Sequence, residues 1–158
     1  ARGAIYYLDK EGKFTPFSDG IKRRNGVTLS PDEKTLYVIP SGQPQMMAYS
    51  VSAPGKLSKP RVFCTIEELK GQNNTGGDGA TVDTEGNIYI ATRAGIQVFD
   101  SSGKPLKVVR FPGFGYPKHP ANVTFGGPRQ RSLFITARDG LYRVPMNARG
   151  HVFMGRTP

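Results

Sequence analysis

Three segments of this 158-residue chain repeat one pattern, and that repetition constrains the fold more than any single motif. They run over residues 26–39, 79–92 and 122–137. Each reads as a short strand, a turn and a second strand. Val27 and Leu29, Ala80 and Val82, and Val123 and Phe125 recur with a period of two, which puts each pair on one face of a strand. The turns are Ser-Pro-Asp-Glu-Lys (30–34), Asp-Thr-Glu-Gly-Asn (83–87) and Gly-Gly-Pro-Arg-Gln (126–130), all residues that favour tight reversals.

A second hairpin follows each segment. Residues 47–51 lead through Pro54-Gly55-Lys56 to residues 61–63, and residues 96–100 lead through Ser102-Gly103-Lys104 to residues 107–109. Residues 141–144 lead through 147–150 to a strand expected at His151-Val152-Phe153. Residues 5–9 and 14–17 form an opening hairpin. No helical periodicity of useful length is present, although residues 65–70 are compatible with one helical turn. The unit is therefore four strands, with a spacing of 52 residues from Leu36 to Ile88 and 45 from Ile88 to Leu133. Four short strands at that spacing predict the blade of a β-propeller.

The predicted fold class is all-β, a single partial propeller over residues 1–158. It comprises a half blade at 1–20 and four-stranded blades at about 21–70, 71–116 and 117–158, with about fourteen strands in all. Propellers close with four to eight blades, and an unclosed array exposes sheet edges. Closure is therefore expected to need the remainder of a longer chain or, alternatively, a second copy.

Composition excludes several other classes. The single cysteine, Cys64, cannot form an internal disulfide, and no paired-cysteine zinc pattern occurs. No run of 18 apolar residues exists, so no membrane-spanning helix is expected. Lys plus Arg number 22 against 12 Asp plus Glu, a net charge of +10. Lys22-Arg23-Arg24 is the densest basic cluster, and residues 129–156 hold six Arg with only Asp139 as an acid. No nucleic-acid module accompanies this charge, so it reads as solvated surface and no nucleic-acid partner is expected. Steeply salt-dependent binding to DNA or RNA would be the mark of the opposite.

The residues just before the first strand of each unit are the candidates for chemistry, because the innermost strands of several blades converge there. Asn25 lies two residues before Val27 and Asp78 two before Ala80, and each is followed by glycine. A carboxylate and an amide carbonyl are oxygen donors suited to a hard cation. Asn-Gly and Asp-Gly are also plain turn dipeptides. In the third unit Ala121 holds the matching place, with Asn122 one position on. Tyr116 and His119 lie in a Gly/Pro-rich loop that either covers a ligand or simply connects strands. Gly76-Gly77-Asp78-Gly79 precedes a strand and reads as a close backbone approach. Cys64 ends an apolar strand and reads as a small buried hydrophobe. No nucleophile-elbow or phosphate-loop motif is present.

Residues 24–32, Arg-Asn-Gly-Val-Thr-Leu-Ser-Pro-Asp, resemble the RPNG-x-x-x-S-x-D segment of the gluconolactonase/regucalcin (senescence marker protein) family. Residues 78–91 resemble its DG-x-x-x-D-x-x-G-N segment, and residues 125–136 its FGGP segment followed by Leu-Phe-Ile-Thr. The order and spacing agree, and the match corresponds to the C-terminal half of a family member. The resemblance implies a six-bladed propeller with a divalent cation at the channel mouth, Ca²⁺ first and Zn²⁺, Mg²⁺ or Mn²⁺ as alternatives. It implies hydrolysis of a small sugar lactone, with Asn25 and Asp78 as metal ligands and Asp78 as the base or the group that positions water. By their place in the chain, and not by the resemblance, Asn122, Tyr116 and His119 are the candidates for substrate contact. The family's third ligand, a Glu, and its substrate-orienting Arg and Asn lie upstream of the matched segments. Arg24 departs from the family's Pro. The alternative is a non-catalytic propeller that binds a metal or partner at the same mouth.

Overall fold

The computed structural model of the chain describes residues 4–17, 20–71, 74–111, 114, 119–138 and 140–153. Strands β1 (Ile5–Leu8) and β2 (Phe14–Phe17) form a two-stranded antiparallel sheet. The next sheet holds β3 (Arg24–Leu29), β4 (Thr35–Pro40), β5 (Gln45–Ala53), the two-residue β6 (Lys56–Leu57) and β7 (Arg61–Thr65), with β5 pairing both β6 and β7. A third sheet runs β8 (Ala80–Val82), β9 (Ile88–Thr92), β10 (Gly95–Phe99) and β11 (Pro105–Val109). The last holds β12 (Pro120–Gly126), β13 (Ser132–Ala137) and β14 (Gly140–Pro145). The described residues are sheet-rich, with one short 3-10 turn at Pro128–Gln130 and no α-helix. The first strands of the three larger sheets, β3, β8 and β12, lie side by side, as in an unclosed propeller.

Turn chemistry explains the hairpins. Asp9, Asp83 and Asp100 begin the same reversal, each with glycine three residues on: Gly12, Gly86 and Gly103, at φ 81°, 83° and 90°. In each, the Asp N–H donates to the carbonyl four residues later, and the glycine N–H donates back to the Asp carbonyl. The Asp Oδ1 accepts from the amides two and four residues on, at 2.8–3.0 Å. A positive φ costs glycine nothing, which is why glycine holds that place. The β3–β4 turn is a variant. There the Ser30 hydroxyl accepts from Thr35 N–H and donates to Asp32, while Glu33 takes the left-handed φ of 58°.

Strand periodicity assigns the two faces of each sheet. In β9, Ile88 and Ile90 pack toward Tyr37, Ile39 and Met46 of the preceding sheet. The intervening Tyr89 and Ala91 pack toward Val123, Phe125, Leu133 and Ile135 of the following one. Both β9 and β10 are buried along their whole length, so both faces of each are covered. At the ends of the stack one face lacks a cover, and β1 and β14 show plain alternation instead. A fully buried Ile contributes about 1.5–3 kcal/mol, so these interfaces order the sheets face to face. Gln97 adds a polar clamp: its side-chain carbonyl accepts from Glu67 N–H, and its amide donates to Glu67 O and Thr92 Oγ1.

Two local expectations are revised. Residues 151–153 do not form a fourth strand on β14. The chain instead turns back, with Gly150 N–H on Gln130 O, His151 N–H on Val82 O and a bridge between Asp83 and Gly150. Gly150 permits this because a Cβ there would overlap Phe125. Residues 65–70 do not form a helical turn, because Ile66 N–H is taken by Pro44 O and Ile66 is buried in the core. Val27 and Leu29 share one face, as their alternation predicts, but that face is uncovered and Val27 is 56% exposed. It borders an open, largely apolar cavity of about 930 Å³ between the β1–β2 hairpin and β3–β5.

Candidate active site at the ends of the inner strands

Asn25 is the second residue of β3, and Asp78 lies two residues before β8. Neither Asx-Gly pair is a turn. Gly26 lies within β3, and neither Gly26 nor Gly79 has a positive φ. Glycine is required at both places by space. A Cβ on Gly26 would overlap the Asp78 carbonyl, and one on Gly79 would overlap the Asn122 side chain. Each glycine is thus the seat for the polar residue of the next sheet, and Asn25, Asp78 and Asn122 come together at one end of three adjacent strands. The cluster at residues 76–79 is the close backbone approach that its composition predicts: Gly77 would likewise clash with Pro40 O.

Backbone bonds hold Asp78 in place. Its N–H donates to Ala91 O at 3.0 Å, while Gly79 N–H donates to Ala121 O at 3.0 Å and Gly79 O accepts from Ala91 N–H at 2.9 Å. The carboxyl is half-buried, and that burial pushes its pKa up. The Gly79 amide, the Asn25 side-chain amide and the charge of His119 act in the opposite direction. His119 therefore lies within electrostatic reach of Asp78. Asn122 is exposed, with Oδ1 accepting from its neighbour Val123 N–H at 2.8 Å. Tyr116 lies outside the described residues.

Sequence reasoning does not reach Ser41, sixteen residues after Asn25. The Asn25 Nδ2 donates to Ser41 Oγ at 3.1 Å, and Ser41 Oγ donates to Gly77 O at 2.6 Å. No local pattern marks it, because the contact joins the end of β4 to the start of β3 and to the loop before β8.

The oxygen donors suit a hard cation, but this chain contributes few of them. Among the described residues no group of three or more His, Cys, Asp and Glu side chains could hold a metal ion. Cys64 is no candidate ligand. It is buried, its Sγ lies 3.7 Å from Met46 Sδ, and burial pushes the thiol up to about 12.

The family described as SMP-30/Gluconolactonase/LRE-like region matches residues 1–139. The chain belongs to that family. It is 28% identical over 144 residues to a gluconolactonase of Zymomonas mobilis, a match covering 89% of this chain and 39% of that protein. It is 29% identical over 150 residues to regucalcin of Oryctolagus cuniculus, covering 89% and 46%. Among solved structures it resembles a gluconolactonase from Xanthomonas campestris with a TM-score of 0.74 at 30% identity, covering 90% of this chain and 44% of that one. A calcium-binding regucalcin from Agrobacterium tumefaciens gives a TM-score of 0.75 at 23% identity, covering 94% and 53%, a likeness of fold. The chain spans about half or less of the length of these curated relatives.

Proposed function

We propose that the complete protein hydrolyses a small sugar lactone at the strand ends that carry Asn25 and Asp78. The observation that supports this most is the contact between those two residues across neighbouring sheets, in a chain whose relatives include proteins named gluconolactonase and lactonase. In this reading the Asn25 amide oxygen and the Asp78 carboxylate hold a divalent cation, Ca²⁺ first and Zn²⁺, Mg²⁺ or Mn²⁺ as alternatives. When bound, the cation supplies Lewis-acid polarisation of the lactone carbonyl. Asp78 takes a proton from the attacking water on a carboxylate oxygen or positions that water. Asn122 and His119 stand beside Asp78 and orient the substrate hydroxyls, and Tyr116 is assigned the same role from the sequence. A third ligand and further substrate contacts come from outside these residues.

The same reading makes the three larger sheets blades of a six-bladed propeller. The apolar cavity beside Val27 is then an uncovered packing face, filled by the remainder of the same chain or by a second copy. Asn25 lines that cavity and Asp78 does not.

The test is Asp78→Asn in the full-length protein. The reading expects lactone turnover to be abolished while circular dichroism shows the fold intact. Unchanged turnover refutes it. A full-length wild type that binds a cation but turns over no lactone supports the non-catalytic alternative.

A further inference from the structure

We propose that Ser41 is a positioning residue that, together with the Asp78 carboxylate, sets which way the Asn25 amide faces and keeps its oxygen available to a cation. The proposal rests on the metal-site reading above. An Asn side chain presents oxygen and nitrogen on opposite sides of one rotatable bond, and only the oxygen can ligate a metal. Nothing in Asn25 itself decides between the two orientations. Ser41 helps decide it. Its hydroxyl hydrogen is committed to Gly77 O at 2.6 Å, so toward Asn25 it offers only lone pairs. It therefore accepts from Asn25 Nδ2, at 3.1 Å, and the nitrogen is drawn to the Ser41 side.

The relay is anchored at both ends. Ser41 N–H donates to Arg23 O at 2.8 Å, two residues before Asn25, which holds the serine against β3. Gly77 N–H is tied to the buried Thr75 Oγ1 at 3.1 Å, which holds the acceptor carbonyl one residue before Asp78. A single hydroxyl thus links the two proposed ligands through separate elements. Groups that orient metal ligands in this way commonly change affinity by about 10–100-fold when removed.

The experiment titrates Ca²⁺, Mg²⁺, Mn²⁺ and Zn²⁺ separately into metal-stripped full-length protein by calorimetry and follows the ion that binds most tightly. Asn25→Ala tests the underlying reading and should weaken that ion at least tenfold. Ser41→Ala should weaken it about tenfold, and Ser41→Thr, which keeps the hydroxyl, should restore it to within about threefold of wild type. The deciding variant is Asn25→Asp, whose two carboxylate oxygens are equivalent and leave no orientation to fix. In that background Ser41→Ala should cost nothing. If the loss persists there, Ser41 acts on the backbone before Asp78 and the proposal is overturned while the site reading stands. The same holds if Ser41→Ala binds like wild type while Asn25→Ala does not. If Asn25→Ala leaves affinity unchanged, or no ion binds the wild type, both fail together.

Discussion

Gly26 lies directly against the main-chain carbonyl of Asp78, with no room between them for a methyl group. That carbonyl is backbone, and its peptide unit is held by Gly79 N–H on Ala121 O, so it cannot turn aside as a flexible side chain would. Gly26→Ala must therefore separate β3 from the loop before β8. The expected cost is about 1–3 kcal/mol, as for other overpacked sites, read as a lower urea midpoint. Cation affinity should fall in parallel, because the same displacement parts Asn25 from Asp78. A variant with wild-type stability and affinity would show that the two sheets approach less closely.

Asp83 carries more hydrogen bonds than its counterparts in the other Asp-x-x-Gly turns. Its carboxylate accepts from Glu85 N–H and Asn87 N–H, from Asn87 Nδ2 at 2.8 Å and from Tyr89 OH at 3.0 Å, and the residue is 1% exposed. Asp83→Ala leaves the Tyr89 hydroxyl unpaired in the core and should destabilise by about 3 kcal/mol. Asp9→Ala removes the exposed version of the turn and should cost about 1 kcal/mol or less. Equal losses in denaturant unfolding would contradict this ranking.

The Asp78 carboxyl is held above its ordinary value of about 4 by burial. Because the folded pKa is raised, its contribution to stability is fully present below the unfolded pKa and is lost as pH rises through the folded pKa. In metal-free protein, NMR titration of this carboxyl should find it above the ordinary range. Asn25→Ala removes a hydrogen bond to the carboxylate and should raise it further. A value below the ordinary range, or a fall in Asn25→Ala, would contradict the balance described here.

Cys64 should be inert in the native state. The residue is 5% exposed and burial pushes its thiol up to about 12, so almost no thiolate exists at neutral pH. A chromogenic disulfide reagent should titrate one thiol in denaturant and none in buffer within minutes. Rapid native labelling would mean that the packing of β7 against Met46 opens easily.

Much of the fold is legible in the sequence because its causes are local. Alternation in β3, β8 and β12 and the Asp-x-x-Gly turns need only neighbours a few residues apart. Asn25 and Asp78 are visible for the same reason, since each stands two residues before the first alternating apolar residue of its unit, Val27 and Ala80, although Asn25 lies inside β3 and Asp78 before β8. The return of residues 149–151 onto Val82 and Asp83 is not visible, because it depends on Gly150 fitting against Phe125 of another strand. Nor is the uncovered face of Val27, because its alternation is the same whether or not a sheet packs on it.

By itself, then, the sequence determined most of the strands, their reversals, the faces they present and the two polar residues placed alike two positions before Val27 and Ala80. Only the tertiary structure decided that Gly26 and Gly79 are seats for neighbouring polar residues and not turns, and that Ser41 holds Asn25. The physical reason is range. Hydrogen-bonded turns and side-chain alternation are set within a few residues, whereas steric clearance and the direction of an amide depend on atoms brought together from different sheets.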